Sequence, residues 1–200
     1  MEKLNLYING TYTAAEGDRS FTLANPVTGD VVTEAAAASL GDVARAVDAA
    51  ASAFATWSVT SPGERRHTLL AAAKNLTARG DDIVQAMKEE IGATEAWGRF
   101  NVMLASEMLV EAASLTTQIK GEVIPSNRPG STAMAIRQPA GVVLAMAPWN
   151  APVILGVRAI ATPLACGNTV VMKTSELCPR VHSLIVEAVA EAGLPAGVLN

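Results

Sequence analysis

The chain has 200 residues, with 15 Lys and Arg against 19 Asp and Glu and a formal charge of −4. Half of its residues are apolar and 17% are charged, so it can bury a sizeable core and lies outside the composition of disordered chains. No cationic run exceeds Arg65-Arg66, which argues against a nucleic-acid backbone or an anionic membrane surface and for a small neutral or anionic metabolite as partner.

Leu4 to Ile8 alternates, Asn9-Gly10 supplies the positive φ angles of a primed turn, and Thr11-Tyr12-Thr13 resumes the alternation, which predicts a β-hairpin. A second extended pair is expected at Phe21-Thr22-Leu23 and Val31-Val32-Thr33, joined by a turn over Asn25 to Asp30. From Ser39 the period changes, and Val43, Val47, Ala50, Phe54 and Trp57 form the expected inward stripe of a helix. Ser61-Pro62-Gly63-Glu64 places a capping serine, a first-turn proline and a glutamate at capping-box spacing, so another helix starts there. A third is expected from Asp81 to Gly92, with Ile83, Met87 and Ile91 inward. A long one follows from about Thr94 to Ile119, with Trp97, Phe100, Leu104, Met108, Ala112 and Leu115 on its buried stripe.

Past Gly121 the texture turns to Pro125, Pro129 and Gly130, and Thr132 to Arg137 reads as part of a hairpin standing off the body. A βαβ rhythm closes the chain. Val142 to Met146 is expected as a fully buried strand, Pro152 to Leu164 as a helix, Thr169 to Lys173 as the next strand and Pro179 to Ala192 as a second helix. Leu194 to Asn200 leads into a third strand. The fold class is α/β. The apolar stretch from Ala140 to Cys166 is interrupted by Pro148, Asn150, Pro152 and Arg158, so a strand and helix explain it better than a membrane span.

Met1 to Ile8 carries Glu2 and Lys3 and shows no secretory leader, and Cys166 and Cys178 have no disulfide-framework spacing, so a cytoplasmic setting is expected. His67 and His182 are isolated, which predicts no metal. The acidic pairs Asp81-Asp82 and Glu89-Glu90 are expected on solvated faces, because neighbouring helical residues point apart.

Three positions carry candidate chemistry. Asn150 falls at the carboxyl end of a strand and just before a helix, where α/β sheets place ligands. Its amide can donate to an oxygen that gains negative charge, or it can cap the helix. Lys173 and Glu176, at the end of the next strand, share that crevice or form a surface salt bridge.

Ala147-Pro148-Trp149-Asn150, the run from Pro163 to Glu176 and the run from Ala192 to Asn200 closely resemble the aldehyde dehydrogenase superfamily, in its order and spacing. Ile91-Gly92-Ala93 before Trp97, and Glu111 to Leu115 before Gly121-Glu122, look most like its bacterial benzaldehyde, vanillin and salicylaldehyde members. The resemblance implies a Rossmann-type cofactor domain over 1–120 and 140–200, with 121–139 as an oligomerisation hairpin, and hence a homodimer or homotetramer. It also implies NAD-dependent oxidation of an aldehyde, of aromatic type, to the acid through a cysteine thiohemiacetal and thioester. By the same resemblance Asn150 belongs to the oxyanion hole. Pro148, Trp149, Lys173, Ser175 and Glu176 bind the cofactor, with the Glu176 carboxylate on the ribose hydroxyls favouring NAD over NADP. Phe100, Leu104, Ala151, Leu155 and Arg158 fall where the substrate tunnel is lined, with a small Ala151 leaving room for a flat ring; the alternative for these is core. For Arg158 a paired, buried structural cation is preferred.

Neither cysteine matches the family's nucleophile, which is expected with the general base beyond Asn200. The segment therefore reads as the amino-terminal part of an enzyme. Two alternatives stand beside that reading: an inert nucleotide-binding or assembly module, if the natural chain ended at Asn200, and a dehydrogenase that passes its acyl group to coenzyme A.

Overall fold

The computed structural model describes residues 2–200, Glu2 by its main chain only. Met1, where the reading of the leader begins, lies outside the described residues. The chain opens with strands β1 (Glu2–Leu4), β2 (Leu6–Ile8), β3 (Thr11–Thr13), β4 (Ser20–Ala24) and β5 (Val31–Ala36). The expected hairpin is β2 with β3, Ile8 facing Thr11 across Asn9 at φ 51° and Gly10 at φ 78°. A Cβ on Gly10 would meet the Ala196 Cβ at 2.9 Å, so glycine is needed there for space as well as for its backbone angle. Leu4, expected in this hairpin, belongs instead to β1, which runs parallel to β5; β4 pairs antiparallel on the other edge of β5. The turn between β4 and β5 is held by the Asn25 side chain, which accepts from the N–H groups of Val27 and Thr28.

Helices α1 (Leu40–Trp57), α2 (Pro62–Ala78), α3 (Gly80–Ile91) and α4 (Glu95–Leu115) follow. Ser39 with Asp42, and Ser61 with Glu64, form complete capping boxes, and Gly92 ends α3 at φ 65°. The stripes differ from expectation. On α1 the buried residues are Asp42, Ala46, Ala50 and Trp57, whereas Val43 and Val47 are exposed. On α4 they are Gly98, Asn101, Val102, Ala105, Leu109, Ala112 and Ala113, whereas Trp97, Phe100 and Leu115 are exposed. Small residues let α4 approach its neighbours closely, so packing selects that face over the bulkier one. A Cβ on Gly98 would already stand 3.1 Å from the Val84 side chain of α3.

Strands β6 (Glu122–Ile124) and β7 (Ala133–Ala135) form the small antiparallel hairpin, with Val123, Met134 and Ile136 exposed. Then come β8 (Val142–Met146), α5 (Pro152–Ala165), β9 (Thr169–Lys173) and α6 (Pro179–Ala190). Strands β8 and β9 are parallel, in register from Val142 opposite Thr169 to Met146 opposite Lys173. A third parallel segment starts beside β9: the N–H of Val170 donates to the Val198 carbonyl at 2.8 Å and that of Met172 to the Asn200 carbonyl at 2.8 Å. Within these 200 residues strand β8 is covered on one face. Val143 and Ala145 join the core, while Leu144 and Met146, on the opposite face, are 62% and 69% exposed.

Leu69, Leu76, Leu109, Ile160, Leu164 and Ile185 are fully buried, so the core lies where α2, α4, α5 and α6 meet. No helix among the described residues is long and apolar enough to cross a membrane. Asp81 and Asp82 are exposed, but Glu90 is only 3% exposed, which corrects the expectation of a solvated face. Its carboxylate accepts from the N–H groups of Arg180 and Val181 at 2.9 and 3.1 Å and from the Thr33 hydroxyl at 3.0 Å. The first turn of α6 thus finds in α3 the acceptor that its own capping position, Cys178, does not supply.

Candidate active site

The carboxyl ends of β8 and β9 lie side by side, and the chain leaves both in turns that carry polar side chains. After Met146 the chain runs through Ala147, whose N–H donates to the Lys173 carbonyl, then Pro148, Trp149 and Asn150 to the start of α5. Pro148, Trp149 and Asn150 are all exposed. Ala151 occupies the capping position of α5 and no side chain caps the helix, so Asn150 is not its cap. The main-chain carbonyl of Asn150 accepts from the Trp97 indole Nε1 at 3.3 Å, while its carboxamide has no hydrogen-bond partner among the described residues.

At the neighbouring strand end, Lys173 Nζ lies 2.8 Å from Glu176 Oε2, with both side chains well exposed. The hydrogen bond from Lys173 holds the Glu176 carboxyl below the usual range, so it is ionised at neutral pH. Lys173, Thr174 and Glu176 line an open cavity of about 550 Å³, together with Leu144, Met146 and Asp42. Ser175 is placed beneath this turn, 4% exposed: its hydroxyl accepts from the Leu177 N–H at 3.2 Å and its own N–H donates to His182 Nδ1 at 3.1 Å. His182 is fully buried, its Nε2 has no hydrogen-bond partner among the described residues, and burial pushes its pKa down to about 4.

Helix α4 packs along α5 and reaches the Asn150 turn through Trp97. Trp97 and Phe100 stack with centroids 5.6 Å apart, and Leu104 follows Phe100 by one turn on the same face. Ala151 and Leu155 stand one turn apart at the start of α5, both partly buried. Trp97, Phe100, Leu104, Ala151 and Leu155 all keep some exposure within this chain. Arg158, preferred as a paired buried cation, is instead exposed, and no carboxylate among the described residues pairs with it.

The cysteines lie elsewhere. Cys166 follows the last residue of α5, at the end remote from Asn150. Cys178 is fully buried, and burial, with the charge of Glu90 added, pushes its thiol up to about 12, so it is no thiolate at neutral pH. Among the described residues no three His, Cys, Asp or Glu side chains gather as a metal site.

Three contacts of this region escaped the sequence: Trp97 on the Asn150 carbonyl, His182 as acceptor for the Ser175 N–H, and Glu90 on the first turn of α6. Only Trp97 carried a signal, since an indole N–H seeks an acceptor.

The sequence profile of the aldehyde dehydrogenase family matches residues 12–200. A vanillin dehydrogenase of Pseudomonas fluorescens is 56% identical over 195 residues, which is 98% of this chain and 40% of that protein. The crystal structure of a salicylaldehyde dehydrogenase from Pseudomonas putida G7, complexed with salicylaldehyde, superposes with a TM-score of 0.98 at 44% identity, over 100% of this chain and 41% of that one. An NAD-dependent benzaldehyde dehydrogenase from Corynebacterium glutamicum does so with a TM-score of 0.93 at 34% identity, over 96% of this chain and 42% of that one. The chain thus spans about 40% of the length of the curated relatives it matches.

Proposed function

The chain belongs to the aldehyde dehydrogenase family, and on that footing we propose that the full-length protein oxidises an aromatic aldehyde to its acid with NAD. The observation that carries this reading is the register of β8 and β9, which sets the turn with Asn150 beside the turn with Lys173 and Glu176. Asn150 presents an amide with no internal partner to a carbonyl oxygen that becomes anionic as a nucleophile adds. A preorganised donor of this kind is worth about 3 to 4 kcal/mol in the chemical step.

Lys173 and Glu176 fit a dinucleotide's ribose: an ionised carboxylate accepts from two vicinal hydroxyls, and a 2′-phosphate in the same place would meet like charge. Pro148 and Trp149 supply an exposed surface for the cofactor, and Ser175 acts beneath, by shaping the turn. NAD, when bound, supplies a hydride acceptor. Neither Cys166 nor Cys178 suits attack on the aldehyde, so the thiolate is assigned to neither.

The aromatic preference rests on the Trp97–Phe100 stack, with Leu104, the small Ala151 and Leu155, as the wall next to Asn150. It agrees with the vanillin and salicylaldehyde substrates in the relatives' names. Exposed and unpaired, Arg158 is assigned to a polar ring substituent. Residues 1–120 and 140–200 are assigned to the cofactor domain of a cytoplasmic enzyme. Residues 121–139, with the bare edges and apolar tips of β6 and β7, are assigned to pairing with a second copy. The test is a substrate panel on the full-length protein with NAD and with NADP. Turnover of vanillin, salicylaldehyde or benzaldehyde with NAD, well above that of a short aliphatic aldehyde, is the expected result; preference for the aliphatic substrate would overturn the aromatic assignment.

A further inference from the structure

We propose that His182 is a positioning residue that braces the turn bearing Glu176 against helix α5 and so sets the place of the Glu176 carboxylate for the cofactor. The proposal rests on the assignment of Glu176 to the cofactor ribose.

The turn after β9 has few anchors of its own. Leu177 N–H bonds to the Ser175 hydroxyl and Cys178 N–H to the Ser175 carbonyl at 3.3 Å, both within the turn. The bond that ties it to the body is the one from Ser175 N–H to His182 Nδ1, made by the residue that directly precedes Glu176. The Cys178 Sγ, 3.9 Å from the same nitrogen, is its other polar neighbour.

His182 is itself held firmly. Its N–H donates to the Cys178 carbonyl at 3.3 Å, and the start of α6 is fixed by Glu90 through Arg180 and Val181. The ring lies against α5 at Gly156, where a Cβ would stand 3.3 Å from His182 Cδ2 and 2.8 Å from Ile185 Cδ1. Gly156 lies about one turn into α5 from Ala151, so the imidazole touches the helix that carries the Asn150 turn at its head. Accepting at Nδ1 requires a lone pair there, and the buried neutral ring provides it. An apolar residue of similar size would fill the space and leave the Ser175 N–H without a partner.

The test uses the full-length enzyme and measures NAD affinity, kcat and thermal midpoint together. His182→Leu should weaken NAD binding about tenfold, the worth of one buried hydrogen bond, with little change in kcat at saturating NAD. His182→Asn, whose Oδ1 can stand in for Nδ1, should return NAD affinity to within about threefold of the parent. Should His182→Leu not fold, His182→Gln replaces it: its oxygen lies one bond too far and should give the same loss. NAD affinity unchanged in His182→Leu, or lost equally in His182→Asn, would overturn the proposal. Glu176→Gln is measured in parallel: unchanged NAD affinity there would sink the ribose assignment on which the brace depends, whereas loss there with none in His182→Leu would sink the brace alone.

Discussion

The indole Nε1 of Trp97 donates to the main-chain carbonyl of Asn150 across 3.3 Å, a bond between residues 53 positions apart. It pins the segment between β8 and α5 by its backbone and leaves the Asn150 carboxamide free. Trp97→Phe keeps an aromatic ring beside Phe100 and removes the donor. We expect kcat of the full-length enzyme to fall about three- to tenfold, as one hydrogen bond of positioning is lost, with NAD affinity unchanged. Steady-state kinetics check this; an unaltered kcat would reduce Trp97 to a wall of the pocket.

On the proposed reading, the Glu176 carboxylate discriminates between the two dinucleotides. Glu176→Gln keeps the shape, removes the charge and breaks the ion pair with Lys173. NAD affinity should fall, NADP affinity should rise, and the NAD-to-NADP ratio of kcat/KM should drop by about tenfold or more. A ratio that stays put would place the selectivity elsewhere.

Two buried groups give the stability opposite pH dependences. Burial raises Glu90 from 4.5 to about 7, so its contribution is fully present below pH 4.5 and is lost as the pH rises through 7. His182 is lowered from 6.5 to about 4, so its contribution is fully present above pH 6.5 and is lost as the pH falls through 4. They oppose each other between about pH 4.5 and 6.5. Against the parent, Glu90→Gln should gain stability with rising pH across that window and His182→Asn should lose it. Chemical denaturation at several pH values reads both slopes, and parallel profiles for all three proteins would contradict the assignment.

How much of this could be read in the residues follows from where the information is local. Asn9-Gly10 and the Ser61–Glu64 box set their turn and helix start by themselves, and both stand as read. Which helical face is buried is not local when alanine is spread round the helix. On α1 the buried stripe begins with Asp42, whose carboxylate is consumed by the N–H groups of Ser39 and Glu16, so its polarity hid its burial. Glu90 misled in the same way, because the N–H groups it caps lie 90 residues further on. The strand ends that carry Asn150, Lys173 and Glu176 were legible because the apolar runs before them and the turns after them mark where β8 and β9 stop. Exposed Arg158 was misjudged because periodicity alone could not tell which side of α5 would be covered.

The central claim is that Asn150 serves the chemistry at the carbonyl oxygen, and the most direct measurement is single-turnover NADH formation by the full-length enzyme and its Asn150→Ala variant with an aromatic aldehyde. The account predicts a fall of about 10²- to 10³-fold in the rate of the chemical step, with NAD binding nearly unchanged. A rate within a few-fold of the parent would contradict it and leave the carboxamide without a part in the reaction.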